Sequence, residues 1–91
     1  MNLQDKVIFL TGGSAGIGWE CAKAYAREGA KVALCCPDAD EAAAAAEKLG
    51  EAHIGLACDV ANGHQVEEAI RKILERFGRL DAIHNNAGIA S

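Results

Sequence analysis

The stretch that most limits what this chain can become is residues 6–28, KVIFLTGGSAGIGWECAKAYARE. It opens with Val7-Ile8-Phe9-Leu10, an apolar run with the length and composition of a buried strand. It then passes through Thr11-Gly12-Gly13-Ser14-Ala15-Gly16-Ile17-Gly18 into a helical pattern that starts near Ile17 and stops at Gly29. A strand that feeds a glycine-rich turn opening a helix is a device for holding phosphate. The first N–H groups of a helix lack intrahelical partners and carry the positive end of its dipole. Glycines let the backbone come close to a pyrophosphate with no β-carbon in the way. Residues Gly12, Gly16 and Gly18 are therefore read as the turn beneath a dinucleotide, with Ser14 offering a hydroxyl to phosphate or capping the helix, and Ile17 in its first turn.

The spacing is G-x-x-x-G-x-G, and two commoner glycine patterns fail. A G-x-G-x-x-G starting at Gly16 would need glycine where Cys21 stands, and no Lys follows Gly16 or Gly18 as a Walker loop requires. The segment Thr11-Gly12-Gly13-Ser14-Ala15-Gly16-Ile17-Gly18 resembles the T-G-x-x-x-G-I-G cofactor motif of the short-chain dehydrogenase/reductase family. Asp59-Val60 after a third strand and Asn85-Asn86-Ala87-Gly88 after a fourth also match, in order and at fitting separations. The resemblance spans essentially the whole chain.

Elements follow one another in strict alternation. Lys31-Val32-Ala33-Leu34-Cys35 reads as a second strand, and Asp38 with Glu41 as a D-x-x-E capping box opening a helix that Gly50 ends. The alanine run 42–46 has the highest helix propensity available and a small face for close packing on a sheet. Ile54-Gly55-Leu56-Ala57-Cys58 is a third strand. Asn62 with Gln65 caps a third helix, with Val66, Ala69, Ile70, Ile73, Leu74 and Phe77 as its apolar stripe and Gly78 as its stop. Leu80-Asp81-Ala82-Ile83-His84 is the fourth strand and residues 85–88 its exit turn. The pattern βαβαβαβ, without a hairpin signal, predicts an α/β fold with a parallel sheet. Right-handed crossovers order the first three strands 3-2-1. The resemblance implies that the fourth returns beside the first, giving a Rossmann-type doubly wound sheet of order 3-2-1-4, incomplete relative to the family. A ligand then lies beyond the carboxyl ends of strands 1 and 4.

The resemblance also implies roles. The aspartate matching Asp59 contacts adenine, with Val60 beside it; read from the residue alone, Asp59 equally caps the next turn. Asn85-Asn86 ties neighbouring strands, and Asn86-Ala87-Gly88 runs along the adenine ribose. NAD or NADP is decided where the second strand ends, by a carboxylate for the ribose hydroxyls or an Arg for the 2′-phosphate. Cys36 stands where NAD users carry the acid, Pro37 where many NADP users carry Arg, and Ala15 where NADP users often carry Arg or Lys. Neither discriminator is in place, and the lack of a cation tilts the expectation to NAD. Asp38, twenty residues after Gly18, is read as a helix cap before a ribose ligand. His84 is read as a packed, satisfied histidine.

Length and charge narrow the rest. The 91 residues form one expected unit, 1–91, a dinucleotide-binding half-domain. A net charge of −4 provides no basic face for nucleic acid or anionic lipid, and no apolar run reaches the roughly 20 residues of a membrane span. The N-terminus lacks the basic-then-apolar layout of a signal peptide, so a cytoplasmic protein is the default. The four cysteines, Cys21, Cys35, Cys36 and Cys58, show no metal-ligand spacing and are read as small reduced hydrophobes.

The family moves hydride between nicotinamide C4 and a carbonyl or alcohol, using Tyr, Lys, Ser and Asn from elements beyond the point where these 91 residues stop. Tyr25 does not open a Y-x-x-x-K pair, because position 29 is Gly. No catalytic residue is assigned here. The expectation is a piece of a longer enzyme, which as a whole would be a homo-oligomer acting on a small carbonyl or alcohol, or a chain completed by a partner. The alternative is a non-catalytic nucleotide-binding or structural half-domain, natural or designed.

Overall fold

The computed structural model describes residues 2–14 and 16–86. The elements are β1 (Val7–Thr11), α1 (Gly16–Arg27), β2 (Lys31–Cys36), α2 (Ala39–Leu49), β3 (Ile54–Ala57), α3 (Gly63–Phe77) and β4 (Ala82–Asn85). The strands form one sheet in the order β3-β2-β1-β4, every pair parallel. In the registers Val7 faces Lys31, Thr11 faces both Cys35 and Asn85, and Cys36 faces Ala57. All strands thus finish at one rim, as the alternating pattern predicts.

The two central strands are apolar on both faces because both faces are covered. Val7, Phe9, Ala33, Cys35 and Cys58 pack with Ala69 and Ile73 of α3 on one side. Leu10, Val32 and Leu34 pack with Ala22 of α1 and Ala45 and Ala46 of α2 on the other. The result is three layers, helix on sheet on helix. Leu74, expected in the apolar stripe of α3, lies at its margin and is 46% exposed.

Small residues set how closely α2 approaches. Its buried positions are Ala42, Ala45 and Ala46, and at Gly55 of β3 a β-carbon would overlap the carbonyl oxygen of Ala42. The low-complexity alanine run is thus a packed helix face.

The helix caps follow the sequence in their N-cap residues and depart from it in the reciprocal side chains. Asp38 Oδ1 accepts from the N–H groups of Asp40 and Glu41, and Asn62 Oδ1 accepts from Gln65 N–H. The Gln65 side chain does not return to Asn62; its Oε1 takes the N–H of Asp59 at 2.7 Å. It therefore fastens the β3–α3 turn instead of closing a capping box. At the last turn of α3, Gly78 adopts the left-handed conformation and its N–H donates to Leu74 O.

Strand limits shift for local reasons. β3 ends at Ala57, although Cys58 N–H still reaches Cys36 O at 2.9 Å. β4 starts two residues later than expected, because Asp81 makes a different junction with β1. Its N–H donates to Val7 O at 2.9 Å, and its carboxylate accepts the N–H of Val7 at 2.8 Å. Among the described residues β4 pairs only with β1, and its Ile83 is 56% exposed. No helix among the described residues is long and apolar enough to cross a membrane.

Candidate functional site

The turn between β1 and α1 is built by close contacts of backbone. Gly12 N–H extends the ladder by donating to Cys35 O at 2.8 Å. Gly12 and Gly16 then take φ of 66° and 60°, left-handed values that a side chain disfavours. Gly18 is buried against the carbonyl of Gly12, so closely that a β-carbon at position 18 would overlap that oxygen. This contact brings the first turn of α1 down onto the end of β1. At Gly16, by contrast, a β-carbon would meet nothing within 4 Å. The space above the turn is open, and the unpaired N–H groups of the first helical turn stand beside it. No acidic residue occupies that turn to offset the dipole. Ile17, 76% exposed, is the apolar side chain at the mouth.

The exit of β4 is tied to this turn. Thr11 Oγ1 donates to Asn85 Oδ1 at 3.0 Å, and Asn86 Nδ2 donates to the carbonyl of Gly12 at 3.3 Å. Asn85 and Asn86 thus join the ends of β1 and β4, as expected. Asn85 is the last residue of β4, not the first of a turn. Ala87 and Gly88, assigned to the ribose by sequence, lie outside the described residues, as does Ala15.

The other half of the site is a hollow of about 70 Å³ at the ends of β1, β2 and β3, lined by Gly12, Cys35, Cys36, Pro37, Cys58, Asp59 and Val60. Five of these, Gly12, Cys36, Pro37, Asp59 and Val60, were singled out from sequence, and the parallel sheet brings them together. Asp59 is partly committed to its own turn, since its Oδ1 accepts the N–H of Ala61 at 3.0 Å. Val60 is 37% exposed and offers an apolar edge. Asp38 spends its carboxylate on the cap of α2.

Two of the thiols here are pushed away from the reactive thiolate form. Burial, with Cys58 next to it, pushes the Cys35 thiol far up, and its Sγ contacts Cys58 O at 3.4 Å. Burial likewise pushes the Cys36 thiol up, against the pull of the Ser14 hydroxyl and of Asp38 O; the Glu41 carboxylate adds to the rise. A protonated thiol is neither a nucleophile nor a metal ligand. Among the described residues no cluster of three or more His, Cys, Asp or Glu is placed to hold a metal ion.

Glu41 was not singled out from sequence as a candidate site residue. Its spacing from Asp38 makes it read as a capping partner, whereas it lines a hollow with Ser14 of the glycine-rich turn, and its carboxylate helps to raise the Cys36 thiol. Tyr25 and His84 are paired elsewhere: Tyr25 Oη lies 2.6 Å from His84 Nδ1, with the rings edge-on. Burial, then the nearby Cys21, raises the tyrosine above its ordinary value. His84 is half-buried and partnered, the packed histidine read from sequence.

The arrangement can hold an elongated anion with a flat apolar end. Backbone donors and open space lie at the turn, and a small hollow lies beside them along the same rim. The family model that matches residues 6–91 is that of short chain dehydrogenase. The chain is 43% identical over 91 residues to D-threitol dehydrogenase of Mycolicibacterium smegmatis, covering 97% of this chain and 35% of that protein. It is 39% identical over 85 residues to the human 3-oxoacyl-[acyl-carrier-protein] reductase, covering 93% of this chain and 36% of that one. Among solved structures it superimposes, with a TM-score of 0.86 and 33% identity, on a 3-ketoacyl-(acyl-carrier-protein) reductase from Brucella melitensis complexed with NADH. That match covers 90% of this chain and 34% of the other. The chain spans about a third of the length of the relatives it matches.

Proposed function

The chain belongs to the short-chain dehydrogenase family, and on that premise we propose that it forms the NAD(P)-binding part of an oxidoreductase acting on a carbonyl or alcohol. When bound, the dinucleotide supplies a hydride acceptor or donor at its nicotinamide ring. The residues described here bind and orient it. Gly12, Gly16 and Gly18 shape the turn for the pyrophosphate, and the N–H groups of the first turn of α1 donate to it. Ser14 adds a hydroxyl, and Ile17 covers the mouth of the turn on its apolar side. Asp59 and Val60 take the adenine, Cys36 and Pro37 flank its ribose, and Asn86 leads Ala87 and Gly88 along it.

The observation that carries this reading is the open space at Gly16 beside a helix start free of acidic residues. A pyrophosphate fits there, and a side chain would fill the same volume. The solved relative named as an NADH complex supports the same cofactor class. We favour NAD over NADP, because neither Cys36 nor Pro37 at the end of β2 offers a cation to a 2′-phosphate.

Titration of NADH into the chain, followed by nucleotide fluorescence, tests the reading. Saturable binding is expected, and Gly16→Val should abolish it while leaving the helix signal in circular dichroism nearly unchanged. Unaltered affinity in that variant defeats the assignment. A non-catalytic structural half-domain would show no saturable binding at all.

A further inference from the structure

We infer that Glu41 is the residue that discriminates between the two dinucleotides, accepting from an unmodified ribose edge and opposing a 2′-phosphate. The inference rests on the dinucleotide reading above and names a carboxylate outside the strand-end positions where that choice was sought.

A second hollow, of about 410 Å³, opens between the glycine-rich turn and α2, lined by Ser14, Trp19, Glu41, Ala44, Ala45 and Lys48. Ser14 belongs to the turn that would carry the pyrophosphate, and Glu41 to the first turn of α2. The Cys36 thiol, which donates to Asp38 O at 3.2 Å, is near enough to both for the Ser14 hydroxyl to pull its pKa down and the Glu41 carboxylate to push it up. Hydroxyl and carboxylate therefore line one hollow, the first from the turn and the second from the helix. In sheets of this topology the ribose edge lies at the end of the second strand, where an acid receives its hydroxyls.

Two other charged groups compete for the role, and geometry removes both. Asp38 is closer in sequence, but its Oδ1 accepts from the N–H groups of Asp40 at 2.9 Å and Glu41 at 3.1 Å, which turns it back onto its own helix. Lys48 lines the same hollow, but it stands seven residues along α2, about 10 Å up the helix axis at the usual rise. There it shares a neighbouring hollow with Lys23, Arg27 and Trp19. The charge at the ribose end is negative. A hydroxyl donates to such a group, whereas a 2′-phosphate brings like charge to it.

The test is a pair of titrations, NADH and NADPH, on the 91-residue chain and three variants: Glu41→Gln, Glu47→Gln and Lys48→Gln. Glu47 is an exposed carboxylate on the same helix, away from the ribose end. The parent chain should bind NADPH about tenfold or more weaker than NADH at low salt, and added salt should narrow the gap. In Glu41→Gln the ratio should fall at least about threefold, with NADPH gaining affinity and salt losing its effect on the ratio. In Glu47→Gln the ratio should not change. NADH binding with the same ratio in Glu41→Gln overturns the inference, as does a preference of the parent chain for NADPH or a ratio governed by Lys48. Absence of saturable binding of either nucleotide to the parent chain instead removes the dinucleotide reading, and this inference with it.

Discussion

Gly18 rests directly on the carbonyl oxygen of Gly12, with no room between them for a β-carbon. A methyl group there has two opposed effects. Alanine normally stabilises a helix over glycine by about 1 kcal/mol. Here it would be driven into a backbone oxygen, which cannot rotate away and already accepts from Asn86 Nδ2. Overpacking of this kind costs about 1–3 kcal/mol, so the clash wins. Gly18→Ala should lower the unfolding free energy in urea and weaken NADH binding together. A gain in stability would show that α1 is free to lift off β1.

The contact between α2 and β3 depends on a missing side chain in the same way. A β-carbon at Gly55 would overlap the carbonyl oxygen of Ala42. Gly55→Ala should therefore destabilise the chain by about 2 kcal/mol, although alanine suits a strand better than glycine. Urea unfolding measures it. A neutral result would mean that α2 shifts outward at no cost.

These two contacts mark the limit of what the sequence makes legible. The alternation of apolar runs and capped helical segments predicts each element and the parallel sheet. The rim then follows, because parallel strands all end on one side. Gly12, Cys36, Pro37, Asp59 and Val60 come from three separate stretches of sequence, yet they meet in one hollow for that reason alone. Side-chain direction is what the sequence conceals. Glu41 satisfies the spacing of a capping partner, so its approach to Cys36 gives no separate signal. Gln65 has the same spacing from Asn62 and turns to Asp59 instead. The pairing of Tyr25 with His84 joins residues 59 apart in sequence and leaves no periodic trace.

His53 provides a pH dependence. Its Nδ1 accepts the N–H of the fully buried Val32 at 2.9 Å, which requires a neutral ring, and burial lowers its pKa below the ordinary value of about 6.5. The unfolded chain therefore takes up this proton first as pH falls. Stability is complete above about pH 6.5 and declines as pH drops toward the folded-state value. Unfolding free energies between pH 7.5 and 5.5 should show that decline, and His53→Asn, which keeps an acceptor but cannot titrate, should flatten it. His53→Ala leaves a buried donor unpaired and should cost about 1–3 kcal/mol at pH 7.5. Equal slopes in the parent chain and His53→Asn would exclude the mechanism.

Asp81 acts at lower pH. The Arg79 guanidinium, and after it the N–H of Val7, hold its carboxyl down to about 2. This contribution is present above the unfolded value of about 3.9 and is lost as pH falls through the folded-state value. Acid titration followed by circular dichroism should show Asp81→Asn already weakened at pH 7 and unfolding at a higher pH than the parent chain. An unchanged acid midpoint would assign the junction of β1 and β4 to backbone pairing alone.

The connections at the two rims of the sheet are held by different kinds of residue. At the rim where strands begin, His53 and Asp81 grip the backbone of β2 and β1. At the rim where they end, glycines, asparagines and Asp59 surround open space. Tolerance to change divides along the same line. Substitutions at the first rim should be read out as melting temperature alone; at the second, Gly18 ties stability to binding, whereas the exposed Glu41 is expected to alter ligand choice over a scaffold that stays folded. Variation, whether natural or in a library, can therefore tune robustness at one rim without touching the other, while the glycines of the second rim keep robustness and binding coupled.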